Sequence, residues 1–229
     1  NLFNVLKKDP YALVGVLIYL FFILIAIFAD LIAPNDPLRM LFNSSGLARN
    51  IDPGREFLLG TTSNGRDIFS QLVHGSRNAL YVGLTAALAV ALVGTIVGLI
   101  SGYFGGWLDS LIMRLADIAL GIPFLPFVIV LAAFLGPSPW NVVIAITLLA
   151  WPNSGRVIRS QVLSLRERAY IESAKVSGCS NLRIIFVHIA PNILPLSFLY
   201  GSIAIGWAIL TEASISFLGF GPSNVISWG

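Results

Sequence analysis

The sequence predicts an all-α, polytopic membrane protein with five transmembrane helices. Three observations carry that expectation. Hydrophobic residues make up 56% of the 229, whereas charged residues make up 11%, well below the roughly 25% of a soluble domain. The mean hydropathy is +0.85, so the chain lacks the polar surface to cover a water-soluble globule. The apolar residues fall into long runs separated by short stretches of charge, Pro and Gly. The formal net charge of +3 is small, and its cations are clustered. Clustering of this kind sets topology and is not a nucleic-acid footprint. One cysteine, Cys179, excludes an internal disulfide, and two distant histidines, His74 and His188, argue against a metal site. The chain starts without Met and stops at Gly229 on a Gly-rich loop, which suggests a fragment.

The first span is the uncharged run Tyr11–Ala29. Its roughly 19 residues suffice for a hydrocarbon core of about 30 Å. Lys7 and Lys8 before it predict a cytoplasmic N-terminus. Residues 1–34 thus form the first helical segment, and 35–77 form a polar, extracytoplasmic loop with five Arg and four acids. Residues 78–229 form the main transmembrane domain.

Asn78–Ile100 is the second span. Its small residues Gly83, Ala87, Ala91, Gly94, Gly98 and Gly102 recur at helical spacing, a pattern that lets a second helix approach closely. Ser101–Asp109 reads as a tight Gly-rich turn without the Lys-Ser/Thr of a phosphate loop. Leu111–Leu135 is the third span. Arg114 and Asp117 are spaced to pair on one face, and Pro123 and Pro126 should kink it. Asp117 is also a pathway candidate, because ionisable groups in membrane segments tend to be functional. After a turn at Gly136–Pro139, Trp140–Trp151 is a short fourth span flanked by tryptophan anchors, and its helix continues through Arg156 despite Pro152. The fifth span, about Ile184–Phe217, is expected to be broken or bent at Pro191 and Pro195. Glu212, its one acid, is the second pathway candidate, and His188 is expected to pack rather than ligate.

Between spans four and five lies the polar connector Arg156–Arg183, with six cations against two acids. Alternation from the N-terminus puts it in the cytoplasm. Leu163–Ser177 has no Pro or Gly and should be one short amphipathic helix, with Glu172 and Lys175 paired. Ser173, Ala174, Ser177 and Gly178 share one face, and Gly178 suits a helix C-terminus. Such a helix fits either lipid head groups or a closely seated partner.

A family pattern favours the partner. Glu172-Ser-Ala-x-x-x-Gly178, followed by His188-Ile-Ala-Pro191-Asn192, resembles the EAA motif of ABC-importer permeases. GTTSNGRDIFSQLVHGSRNAL (Gly60–Leu80), GYFGGWLDSLIMRLAD (Gly102–Asp117), LGPSPWN (Leu135–Asn141), LRERAYIESAKVSG (Leu165–Gly178) and EASISFLGFGP (Glu212–Pro222) resemble the C-type subunit of the dipeptide/oligopeptide/nickel permease family. The likeness covers nearly the whole chain in order. Ser173 replaces the family's usual Ala, and Ala190 its usual Leu.

The resemblance implies a type I ABC-importer permease fold, with six spans in the full chain, in a prokaryotic cell membrane. It implies a second permease subunit, two ATP-binding subunits and an extracytoplasmic substrate-binding protein as partners. ATP and Mg would be bound by the ATPase subunits and no cofactor by this chain. The coupling helix, at about 163–178, would present Ala169, Tyr170, Glu172, Ser173, Ala174, Ser177 and Gly178 to an ATPase. The cargo it implies is di- or oligopeptides, with nickel or oligosaccharides as the alternative. An intramembrane enzyme would need a converging nucleophile, base or metal cluster. A secondary transporter would need more buried ionisable groups. The sequence offers neither.

Overall fold

Asp9 starts the first helix, α1 (Pro10–Ile27). Its Oδ1 accepts from the amides of Tyr11 (3.0 Å) and Ala12 (3.3 Å), and Pro10 sits in the first turn, where its missing N–H costs nothing. This computed structural model describes residues 9–43, 46–136, 138–221 and 224–229. Lys7, Lys8, Pro137 and Pro222, on which some sequence expectations rest, lie outside them. The described residues gather into two compact units, one of residues 1–81 and 216–229, the other of 82–215.

In the first unit, α1 buries none of its residues, which suits a helix with lipid on all sides. A short helix α2 (Ala29–Ile32) follows. The loop after it carries a small antiparallel hairpin, β1 (Phe42–Asn43) and β2 (Gly46–Leu47), pairing Phe42 with Leu47. The buried hydroxyl of Thr61 donates to Ala48 O at 2.6 Å and pins the loop. The long helix α3 (Ile68–Phe104) begins ten residues before the expected start of the span at Asn78. Asp67 is the reason: its Oδ2 accepts from the Ser70 amide (3.3 Å) and hydroxyl (2.5 Å), an N-cap that the apolar pattern did not reveal.

Arg77 closes the C-terminus of α1. It donates to Ala26 O (2.7 Å) and Ile27 O (3.3 Å) and forks onto Asp30 at 3.1 and 2.9 Å. Those carbonyls have no partner within the helix, so a cation there is well placed. Asp30 also meets His74 Nε2 at 3.1 Å. The hydrogen bonds from Arg77 and then His74 hold its carboxyl below the usual range. Trp228 lies against Gly75, donates to Leu72 O at 2.9 Å and meets Phe22 edge-on.

In the second unit, α3 presents two faces. Leu84, Leu88, Leu92 and Ile96, four apart, are exposed, while Val82, Ala86, Val90, Gly94, Gly98 and Gly102 are buried. The expected turn at Ser101–Asp109 shrinks to one residue, Gly105 (φ 66°), because α3 runs on to Phe104 and α4 (Gly106–Gly121) starts at once. Only a residue without a Cβ reverses the chain so tightly.

The third expected span is two helices, α4 and α5 (Phe124–Leu135), meeting at 91°. Pro123 is the N-cap of α5 and makes the break; Pro126 falls in the first turn and adds no second kink. Next comes α6 (Pro139–Arg166), which passes through the buried Pro152 without a break and carries the expected fourth span as its apolar first half.

The predicted single helix over Leu163–Ser177 is divided. α6 ends at Arg166, and α7 (Ala169–Val176) begins after Glu167 and Arg168. Leu165 and Ile171 are both buried, yet six residues apart they fall about 120° apart around a continuous helix. The break turns both toward the same core. A three-residue helix α8 (Asn181–Arg183), a π-helical turn Ile184–Ile189 and α9 (Ala190–Phe217) complete the unit. The fifth span is therefore continuous at Pro191 and Pro195. The π turn just before Pro191 widens the helix where the proline ring would strike the preceding turn.

Among the described residues, three helices are long and apolar enough to cross a membrane: Pro10–Ile27, Ile68–Phe104 and Asn181–Phe217. The bent pair α4–α5 makes a fourth if it counts as one span. The charged second half of α6 keeps that helix below the same threshold.

Candidate functional site: the connector, its supports and the membrane cavity

The connector rests on a joint between α3 and α6. A Cβ on Gly94 would strike the Ser154 side chain. One on Gly98 would lie 2.7 Å from Ile158 Cγ2 and 2.8 Å from Gly155 O. One on Gly102 would lie 2.8 Å from Val162 Cβ and 2.9 Å from Arg159 O. Each step of four along α3 is thus matched by a step of four along α6, so the two run parallel with backbones in contact. The small-residue pattern signalled close approach, and α6 is the helix that makes it. α9 packs beside α6 on α3: Thr95 donates to Ser197 Oγ at 2.8 Å, and Ile209 covers Gly83.

Ion pairs brace α4 against α6. Arg159 meets both oxygens of Asp109 at 2.5 Å, which raises the arginine's pKa and keeps it charged. Asp117 pairs with Arg156 rather than with Arg114, which is exposed. The difference has a simple cause: Arg156 reaches across from the neighbouring helix, whereas Arg114 points to the surface. Sequence reasoning missed both pairs. Their signal was two acids on α4 and two arginines on the polar half of α6. Arg166 adds a third brace, donating to Gly102 O at 3.0 Å.

α7 hangs from this frame by one residue. Ile171 is fully buried in a core with Leu99, Ile158, Val162, Leu165, Ile184 and Ile189. Ala174 packs on that core from its edge. Ala169, Tyr170, Glu172, Ser173, Ser177 and Gly178 are exposed. Of the four small residues expected on one face, Ala174 is thus half-buried and the others face outward. Ser173 and Ser177 satisfy their hydroxyls on their own helix, donating to Ala169 O (2.9 Å) and Ser173 O (2.8 Å). Lys175 does not pair with Glu172 among the described ion pairs; its ammonium stands 6.0 Å from the Tyr103 ring centroid.

Gly178 (φ 77°) ends the helix. Its amide donates to Lys175 O and that of Cys179 to Ala174 O, both at 3.0 Å. These two bonds are a Schellman closure, for which the left-handed residue must be nearly free of steric cost. Nothing lies within 4 Å of a Cβ built on Gly178. His188 is half-buried in the π turn.

A separate cavity of about 370 Å³ opens among α3, α4, α6 and α9. Its wall includes Val90, Ile146, Asn153, Tyr200, Trp207 and Thr211. Neither Asp117 nor Glu212 lines it. Glu212 is buried at 3% exposure, next to Thr211. Among the described residues no group of three or more His, Cys, Asp or Glu could hold a metal ion.

Comparison with known proteins gives this arrangement a family. Residues 94–227 match the family described as binding-protein-dependent transport system inner membrane component. Residues 2–53 match the N-terminal TM domain of oligopeptide transport permease C. The dipeptide transport system permease protein DppC of Alkalihalophilus pseudofirmus is 42% identical, over 99% of this chain and 74% of its own length. The oligopeptide transport system permease protein OppC of Bacillus subtilis is 35% identical, over 97% of this chain and 72% of its own. The dipeptide transport system permease protein DppC of Bacillus subtilis is 33% identical, over 98% and 69%. The α3–α6 joint, α7 and, apart from Val90, the residues lining the cavity lie within the first matched region. With its apolar helices and this breadth of similarity, the chain is a multi-pass membrane protein and a transport subunit rather than an enzyme: it belongs to the family of binding-protein-dependent transport system inner membrane components.

Proposed function

We propose that this chain is one of two permease subunits of an ATP-driven importer of di- or oligopeptides. It forms half of the translocation pathway. Its cargo reading rests on the relatives, which are named for dipeptide and oligopeptide transport. Its N-terminus and α7 lie in the cytoplasm of a prokaryotic cell. An extracytoplasmic binding protein delivers substrate to the polar loop at 35–77. Two partner ATPase subunits bind ATP and Mg and close on hydrolysable nucleotide.

The observation that carries the coupling role is the contrast within α7. Its inner side is anchored by Ile171, while Ala169, Tyr170, Glu172, Ser173, Ser177 and Gly178 present an exposed surface of mostly small groups. A surface of this kind seats closely in a cleft, and α7 is joined through α6 to the glycine contact with α3. Motion of an ATPase subunit is thereby delivered to the membrane helices. Glu212 and Asp117 remain pathway candidates, although neither lines the cavity.

The test is Ser173→Trp in the complete transporter. The indole adds bulk to the outward face and touches none of the internal supports. Membrane insertion and pairing with the second permease should persist, while ATP-dependent peptide uptake falls by at least about tenfold, the effect of losing roughly 1.4 kcal/mol of docking. Full uptake by this variant would reject α7 as the coupling element.

A further inference from the structure

The cavity among α3, α4, α6 and α9 has an unusual polar inventory. Most of its wall is aliphatic or aromatic, including Val90, Ile146, Tyr200, Ala204 and Trp207. No Asp, Glu, Lys, Arg, His or Cys lines it. Two of its four polar side chains are already satisfied: Ser154 Oγ donates to Trp151 O at 3.1 Å and Thr211 Oγ1 to Trp207 O at 2.8 Å, each within its own helix. The other two, the Asn153 amide and the Tyr200 hydroxyl, have no hydrogen-bond partner among the described residues.

Asn153 is exposed and Tyr200 half-buried, so both polar groups are open to a solute in the cavity. The carboxamide of Asn153 presents both donors and an acceptor, and the hydroxyl of Tyr200 presents one of each. Together they complement a peptide group, which also carries one donor and one acceptor. The cavity of about 370 Å³ is within the roughly 300–1,000 Å³ of small-molecule pockets. Ile146, Ala204 and Trp207 give it an apolar floor suited to a hydrocarbon or aromatic side chain. A divalent cation would find no carboxylate or imidazole on this wall.

We infer that this cavity is a peptide subsite within the membrane: Asn153 and Tyr200 meet an uncharged backbone amide, and the apolar wall receives the adjoining side chain. Charged peptide termini bind elsewhere. The inference rests on the peptide-importer reading and adds to it a place on this chain where cargo is sensed by size and polarity.

The experiment is uptake by the complete transporter in proteoliposomes, with its binding protein, measured per assembled complex for Gly-Gly and for Phe-Phe. Wild-type uptake of either peptide tests the importer reading; the variants test the subsite. Ala204→Phe fills the cavity and should lower the Phe-Phe to Gly-Gly uptake ratio about tenfold, the scale of steric discrimination by an apolar pocket. Asn153→Leu keeps the volume and removes the amide; it should lower uptake of both peptides by a similar factor, about tenfold for a lost hydrogen bond. If Ala204→Phe prevents assembly, Asn153→Leu and Tyr200→Phe decide the matter alone. Wild-type uptake and ratio in the assembled variants would overturn the subsite. So would loss of the second permease on purification with an unchanged ratio in the complexes that remain, because the cavity would then be a subunit contact. If wild type carries neither peptide, the importer reading fails and the subsite with it.

Discussion

Three glycines hold α3 against α6, and one isoleucine holds α7 against the neighbouring core. At Gly94, Gly98 and Gly102 a single added carbon would meet side-chain or backbone atoms of α6. At Gly178 the same carbon would meet nothing within 4 Å. The first contact is spread over about two helical turns and is closed. The second is concentrated in Ile171, and most of the helix it supports is exposed. A glycine therefore has opposite meanings in the two places. In α3 it is required by what stands opposite. At the end of α7 it is required by its own backbone angle. The difference separates a close-packed joint from an exposed surface, the one proposed above to seat another protein.

The largest effect should come from breaking the joint. Gly98→Ile forces side-chain carbons into Ile158 and the Gly155 carbonyl; overpacking of this severity costs about 3 kcal/mol or more. Detergent-purified complex carrying it should be absent or melt far below wild type. If it assembles with normal stability, the α3–α6 contact is looser than described.

Ile171→Ala attacks the suspension instead. It deletes three carbons from a fully buried site, at a cost of about 2–3 kcal/mol. The loss should be local: protease sensitivity should appear around residues 165–180 while the membrane helices keep their hydrogen-exchange protection. Uniform loss of protection would show that α7 and the joint form one cooperative unit.

A smaller effect sharpens the contrast. Gly178→Ala meets no steric obstacle but places a Cβ at φ 77°, worth about 1 kcal/mol. It should shift the melting temperature by a few degrees at most, whereas Gly98→Ala, the same chemical change, should shift it more because atoms stand at 2.7–2.8 Å. Equal shifts would erase the distinction between the two glycines.

The sequence revealed the long-range packing here better than the local geometry. The small residues of α3 stand out because four-residue spacing of Gly and Ala has one use in an apolar helix, and that use requires a partner backbone. Gly178 stands out because it follows a charged helical stretch. The division between α6 and α7 was hidden, because Leu163–Ser177 contains no breaker and every residue is compatible with helix. What divides it is tertiary: Leu165 and Ile171 must reach one core. The start of α3 was hidden because Asp67 and Ser70 read as loop residues until their mutual hydrogen bonds are seen. Arg114 and Asp117 looked paired because spacing on one helix is visible in sequence, while Arg156 is 39 residues from Asp117 and arrives only through folding. The cavity was illegible for the same reason. Asn153 and Tyr200 are ordinary residues until α6 and α9 put them on one wall.

The central claim is that the outward face of α7 is the surface on which an ATP-binding subunit sits. The most direct measurement is cross-linking from a single cysteine at position 173, in a Cys179→Ser background, within membranes containing the complete transporter. The account predicts a cross-link from Ser173→Cys to an ATP-binding subunit, and none from Leu88→Cys on the exposed apolar face of α3. A cysteine at position 173 that stays freely reactive to a soluble thiol reagent in the assembled transporter, with no cross-link to that subunit, would contradict it.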